Sequence, residues 1–135
     1  MDECLFCKII RGGIPCQKIY EDEKVFCFLD INPVNPGHTL VVPKAHSKQL
    51  IGMDESDIAA VFHTAKKVAT AIANGVQAEG FNLHMNNEPA AGQVIFHSHV
   101  HIIPRFGNDG LRHWPGRPYI EGQDKEIQDR ILKLL

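Results

Sequence analysis

Hydrophobic and polar positions change their period several times along the chain, and each change marks an element. Ile58, Val61, Phe62, Ala65, Val68, Ala69, Ile72 and Val76 recur at helical spacing, with Lys66, Lys67 and Gln77 on the other side. Before them, Asp54-Glu55-Ser56-Asp57 supplies an N-cap and negative charge for a first turn, and Gly75 or Gly80 supplies a stop. Around this helix lie short strand-favouring runs at residues 17–20, 24–30, 38–43 and 81–86. Glu21-Asp22-Glu23 and the cluster Asn32-Pro33-Val34-Asn35-Pro36-Gly37 turn the chain between the first three. A stricter alternation enters through residues 91–96 and continues as His97-Ser98-His99-Val100-His101-Ile102-Ile103. On a strand, residues two apart share a face at a rise of about 3.3 Å per residue, so the imidazoles would stand in a row roughly 6–7 Å apart. Val100 and Ile102 would then face the core. Residues 4–11 read as a short turn or single helical turn, and residues 124–135 as an amphipathic helix with Ile127, Ile131 and Leu134 on its apolar side. Antiparallel strands behind one long helix make an α+β meander.

Composition narrows this picture without changing it. The 135 residues suit one domain able to bury about two-thirds of its unfolded surface. No repeat, low-complexity run or linker suggests a second domain. Residues 1–12 form its cysteine-bearing start and residues 107–135 a C-terminal segment and helix. A net charge of −2 argues against general nucleic-acid binding, which shows a basic face, yet leaves room for a nucleotide-sized ligand. No apolar run approaches the roughly 18 residues of a membrane span. Met1-Asp2-Glu3-Cys4 lacks the basic and apolar regions of a secretory signal, and four cysteines are few for a disulfide scaffold. Together these point to a reducing cytoplasm.

The histidine row is either a His-rich solvent face or an active-site strand. Imidazole, with an unperturbed pKa of about 6.5, serves near neutrality as nucleophile, base or acid. Attack on phosphorus needs one bare ring nitrogen while the other is held by an acceptor, and it splits one hard displacement into two easier ones. His99, with neighbours on both sides, is the best-placed nucleophile. His101 would orient the reacting phosphate by hydrogen bonding. His63, beside the helical stripe, reads as a surface residue, and His84 has no assigned role. Asp30, between a strand and a Pro-containing turn, either caps that turn or meets vicinal hydroxyls.

Gly92-Gln93 followed by His-x-His-x-His and two apolar residues resembles the signature of the histidine triad family of nucleotidyl hydrolases and transferases. The likeness runs from Cys4 to Trp114 and includes Ile14-Pro15, Phe28-Leu29-Asp30-Ile31, the stretch from Pro36 to Lys44 and that from Asn86 to Pro104. It is nearest the Hint branch, among bacterial-type members with an N-terminal Cys-x-x-Cys. The resemblance implies that His99 carries a covalent nucleotidyl intermediate, that His38 sits beside the triad and that Gln93 binds the α-phosphate or bridging atom. His at 101, rather than Gln, favours the hydrolase branch. By the same route Asp30 takes the ribose, Phe28, Leu29 and Ile31 surround the base, with Phe6 and Ile10 as additions, and Asn86 reaches ribose or phosphate. These apolar residues read equally well as plain core. One departure stands out: Val94 replaces a serine that in Hint members helps protonate the leaving amine.

Cys4-x-x-Cys7 has the spacing of a zinc knuckle, two buried thiols or a redox pair, the last without a thioredoxin-like setting. His46 and His97 are the natural further ligands, as in relatives with this cysteine pair, and four protein ligands would make a structural zinc. Cys16 and Cys27 read as packed thiols. Family members are homodimers with joined sheets, so Trp114 either shapes the neighbouring pocket or covers its own core. The expected activity is hydrolysis of purine nucleoside 5'-phosphoramidates or related AMP or GMP conjugates. The competing readings are a dinucleoside polyphosphate hydrolase, a purine-nucleotide sensor with vestigial hydrolysis and a metal-binding interaction protein. No organic cofactor is expected.

Overall fold

The computed structural model describes residues 3–135; Met1 and Asp2, part of the stretch read above for a secretory signal, lie outside the described residues. Helix α1 (Leu5–Ile10) is followed by strands β1 (Lys18–Glu21), β2 (Val25–Leu29) and β3 (Thr39–Pro43). The long helix α2 (Glu55–Val76) leads to β4 (Gly80–His84), β5 (Val100–Arg105) and a final helix α3 (Gln123–Leu132). The five strands form one antiparallel sheet in the order β1-β2-β3-β5-β4. The first three make a meander. Helix α2 then carries the chain to the far edge, and β5 fills the gap.

Strand alternation divides the sheet into two faces with separate cores. Val25, Cys27, Val41, Val100 and Ile102 meet the α2 stripe of Val61, Ala65, Val68, Ala69 and Ile72. Phe26, Phe28, Leu40 and Val42 face the other way, against Phe6 and Ile9 of α1. This second face carries the site. The α2 stripe follows the periodicity, except that Phe62 is 44% exposed and Thr64 is buried in its place. Neither glycine ends the helix: Gly75 lies within it, and Gln77 takes the left-handed position at φ 56°. Asp54 caps through its backbone carbonyl, which accepts from the Asp57 and Ile58 N–H groups, while its side chain makes no capping bond.

The expected histidine strand is half the length that alternation suggests. Strand β5 starts at Val100, after a single 3-10 turn (Pro89–Ala91) and an irregular approach. Pairing of β3 with β5 stops at Val41 opposite Val100, because Pro43 has no N–H to extend the ladder. Beyond it, Ser98 bonds Ser47 instead, N–H to carbonyl at 2.7 Å and hydroxyl to hydroxyl at 2.8 Å. Helix α3 has no buried residue, and Trp114 stands 93% exposed, so it does not cover this chain's own core. Among the described residues no helix is long and apolar enough to cross a membrane.

Candidate active site and metal centre

The turn between β2 and β3 delivers His38. Gly37 adopts φ +94°, and a Cβ there would come within 3.1 Å of Val76 and 3.2 Å of Pro104, so the turn packs directly on the molecule. The Val34 N–H donates to His38 Nδ1 at 3.0 Å. An amide can only donate, so neutral His38 keeps its proton on Nε2. That nitrogen lies 2.9 Å from His101 Nδ1, which must accept, and the His101 proton is therefore on Nε2. Nε2 of His101 is the only buried side-chain nitrogen or oxygen among the described residues that lacks a partner. Hence a buried donor waits for an acceptor.

The nucleophile candidate is arranged with the opposite polarity. His99 Nδ1 lies 2.6 Å from the His97 carbonyl, so it donates there and Nε2 is left with a free lone pair. The ring is 7% exposed and packs edge-on against Phe6 at 5.0 Å between centroids and beside His101 at 4.9 Å. Burial lowers the pKa values of His38 and His99, and it brings His101 down to about 3 with help from the neighbouring imidazoles. The three rings are thus held neutral at pH 7, the state a nitrogen nucleophile requires.

His99 and His101 open onto a cavity of about 450 Å³ between α1 and the sheet. Its walls include Phe6, Phe28, Asp30, Ile31, Leu40, Asn86 and Val94. Asp30 caps its turn, with Oδ1 accepting from the Asn32 N–H at 2.8 Å, while Oδ2 faces His38 Nε2 at 3.7 Å. Three of the expected residues are not on its wall. Leu29 and Ile10 do not line the cavity. Gln93, expected at the phosphate, is 4% exposed and bonds to the protein through both ends of its amide. Its Nε2 donates to the carbonyls of Lys48 (2.6 Å) and Ile95 (3.1 Å), and its Oε1 accepts from the Glu88 N–H (2.9 Å). It clamps the loop that holds Glu88 at φ 72° and has no amide hydrogen left for a ligand.

A second cluster lies behind the first. His97 Nε2 donates to the Pro43 carbonyl at 2.7 Å, turning its bare Nδ1 toward Cys4 Sγ (3.4 Å), Cys7 Sγ (3.5 Å) and His46 Nδ1 (3.2 Å). Cys7 Sγ and His46 Nδ1 are 3.4 Å apart. Zinc–sulfur bonds near 2.3 Å and zinc–nitrogen bonds near 2.0–2.1 Å put tetrahedral ligand atoms roughly 3.3–3.8 Å apart; the sulfur–nitrogen separations fall inside that range and the 3.2 Å nitrogen–nitrogen separation just below it. Burial, then the adjacent Cys4, pushes the Cys7 thiol up from its ordinary value; a cation would relieve both. The donated Nε2–H fixes the His97 tautomer in the manner of a metal ligand's outer support. Cys27 is a packed thiol, raised by burial to about 12, whereas Cys16 reaches the cavity wall.

Residues 11–108 match the HIT domain family. The chain belongs to the HIT family. That HIT match takes in Asp30, His38, His46, Gln93 and the whole histidine row, and begins after the cysteine pair. A relative in Arabidopsis thaliana, "Adenylylsulfatase HINT3", is 47% identical over 110 residues, which are 82% of this chain and 56% of that protein. The chain thus spans little more than half of that relative's length. "Adenosine 5'-monophosphoramidase hnt1" of Schizosaccharomyces pombe is 37% identical, with 95% of each chain covered. Among solved structures, a zinc-bound histidine triad family protein from Mycobacterium smegmatis is 34% identical with a TM-score of 0.79, covering 98% of this chain and 96% of that one. The HIT fold therefore extends across both the histidine cluster and the cysteine-bearing helix α1.

Sequence reasoning missed the Gln93 clamp, the Ser47–Ser98 tie and the position of His84. Its ring lies 4.7 Å from that of His101, directly opposite it on β4. The signal for His84 was available: it falls on the strand that pairs with the histidine strand, two positions before Asn86.

Proposed function

We propose that this HIT protein is a hydrolase of purine nucleoside 5'-phosphoramidates or related AMP or GMP conjugates, acting through a covalent nucleotidyl-His99 intermediate. The observation that carries this reading is the bond from His99 Nδ1 to the His97 carbonyl, which leaves Nε2 as an unprotonated, oriented nucleophile beside a nucleoside-sized cavity. The base lies against Phe28, Ile31 and Phe6, and Asp30 and Asn86 meet the ribose and phosphate. The His101 Nε2–H finds its missing acceptor in a phosphoryl oxygen and stabilises the charge that builds there. His38 holds His101 in the donating tautomer. Attack forms a His99–phosphorus bond and expels the leaving group; water then releases the nucleoside monophosphate. Two relatives are named for adenylyl conjugates, one with sulfate and one a 5'-monophosphoramidase, which supports an adenylyl-type substrate.

Cys4, Cys7, His46 and His97 would hold a zinc ion whose four protein ligands leave no position for substrate, so its contribution is structural. The zinc-bound relative supports this assignment. Joining two chains into a homodimer would cover the exposed edge of β4, and four free thiols fit a reducing compartment such as the cytoplasm. Rapid quench of a single turnover with α-phosphate-labelled adenosine 5'-phosphoramidate tests the central step. Wild type should trap label on protein in an acid-labile bond, and His99→Ala should trap none and lose at least about a thousandfold in rate. Undiminished hydrolysis by His99→Ala would end the proposal.

A further inference from the structure

One imidazole in the cluster has no part in the chemistry so far. On the site face of the sheet, a single cross-strand row runs from Phe28 on β2 to Leu40 on β3, His101 on β5 and His84 on β4. Adjacent strands are about 4.8 Å apart, so each step moves that distance across the sheet. Phe28, Leu40 and His101 all line the nucleoside cavity, whereas His84 stands one strand beyond it, on the edge strand β4. With the nucleoside at one end of the row and the reacting phosphorus beside His99 and His101, His84 occupies the side from which the leaving group departs.

The geometry points to His84 as the leaving-group acid of this enzyme, giving a proton to the departing nitrogen of a nucleoside phosphoramidate. The inference rests on the hydrolase reading above. A phosphoramidate needs such a donor, since an amide anion is a very poor leaving group, and Val94, which lines the cavity mouth at 80% exposure, has no proton to give. His101 is engaged by His38 through Nδ1 and is held neutral. The groups facing His84 are His101 across the β4–β5 pairing and, behind it, His99 and His38. Burial is the influence that lowers His84, whereas His38, His99 and His101 are lowered by burial first and then further by a charge on His84.

The step balances as follows. The His99 Nε2 lone pair forms the nitrogen–phosphorus bond while the bond to the departing nitrogen breaks. That nitrogen keeps the electron pair, takes the proton from the His84 imidazolium and leaves as a neutral amine. His84 regains its proton from solvent, and water hydrolyses the nucleotidyl-His99 bond.

Two substrates differing only in their need for a proton test this: adenosine 5'-phosphoramidate and the p-nitrophenyl ester of AMP. Wild type should lose rate on the phosphoramidate as pH rises, and His84→Leu should lower kcat/KM for it by about a hundredfold and remove that dependence. It should leave the p-nitrophenyl ester within about twofold, because p-nitrophenolate departs without a proton. His84→Gln, which keeps the polar volume but cannot act as an acid, should match the leucine variant. Equal losses on both substrates, no loss on either, or full activity of His84→Gln would overturn the role of His84 while leaving the hydrolase reading intact. Failure of wild type to turn over either substrate would remove that reading and this one together.

Discussion

His97 and His99 lie two residues apart and hold their protons on opposite ring nitrogens, one on Nε2 and the other on Nδ1. The backbone decides the difference: Pro43 offers its carbonyl to one ring, and the His97 carbonyl serves the other. One imidazole thus presents a lone pair to two thiols and the next presents a lone pair to the cavity. The alternation of the sequence places both histidines near the site but says nothing of tautomers, which depend on acceptors up to 54 positions away. The partners of Gln93 are hidden from the sequence for the same reason, since its amide bonds Lys48, Ile95 and Glu88. Burying neutral imidazoles also has a cost that pH reveals. His101 titrates near 6.5 when unfolded and at about 3 when folded. Between these values the unfolded chain binds the proton and the native chain does not, so stability is intact above pH 6.5 and declines as pH falls toward 3. Urea unfolding should show a lower midpoint at pH 5 than at pH 7.5, and His101→Asn should flatten that dependence. A midpoint insensitive to pH in wild type would contradict the buried neutral state.

Among the elements, α1 does two jobs in six residues. Cys7 and the N-cap Cys4 face His46 and His97, while Phe6, between them, packs edge-on against both Phe28 at 5.4 Å and His99 at 5.0 Å. The sequence revealed the cysteine spacing and the helix-forming patterns because both are local. It could not show that α1 roofs the cavity beside His99, since that depends on packing against the sheet. If a structural zinc joins α1 to the segment before β5, chelation or Cys4→Ser should lower the melting temperature by on the order of 10 °C. The chain that remains folded should keep its chemical step. Dependence of the adduct-forming rate itself on added metal would refute a structural role. Strand β5 shows how an element can be misjudged by period alone: alternation continues through His97 and His99, but Pro43 ends the ladder and the serine pair takes over.

For the whole molecule, the strand order leaves β1 and β4 as the sheet's edges. The β1 edge is guarded by charge, with Lys18 paired to Glu21 and Lys44 to the same carboxylate. The β4 edge is apolar: Phe81 and Leu83 are 45% and 40% exposed, and Phe62 of α2 is 44% exposed. A self-complementary contact there fits a two-fold dimer. Light scattering should find a dimer for wild type and a monomer for Leu83→Lys; a monomeric wild type would exclude this arrangement. The antiparallel sheet and long helix were legible in the sequence, whereas the insertion of β5 between β3 and β4 was not, because adjacent order in sequence does not fix adjacency across a sheet. That insertion has a final consequence. The cavity wall at Phe28 and Leu40 and the imidazole of His101 belong to different strands, so their separation is a fixed number of interstrand spacings, a ruler that loop insertions cannot stretch. In the proposed reaction such a gauge would keep the phosphorus nearest the sugar beside His101, whatever the length of the group beyond it.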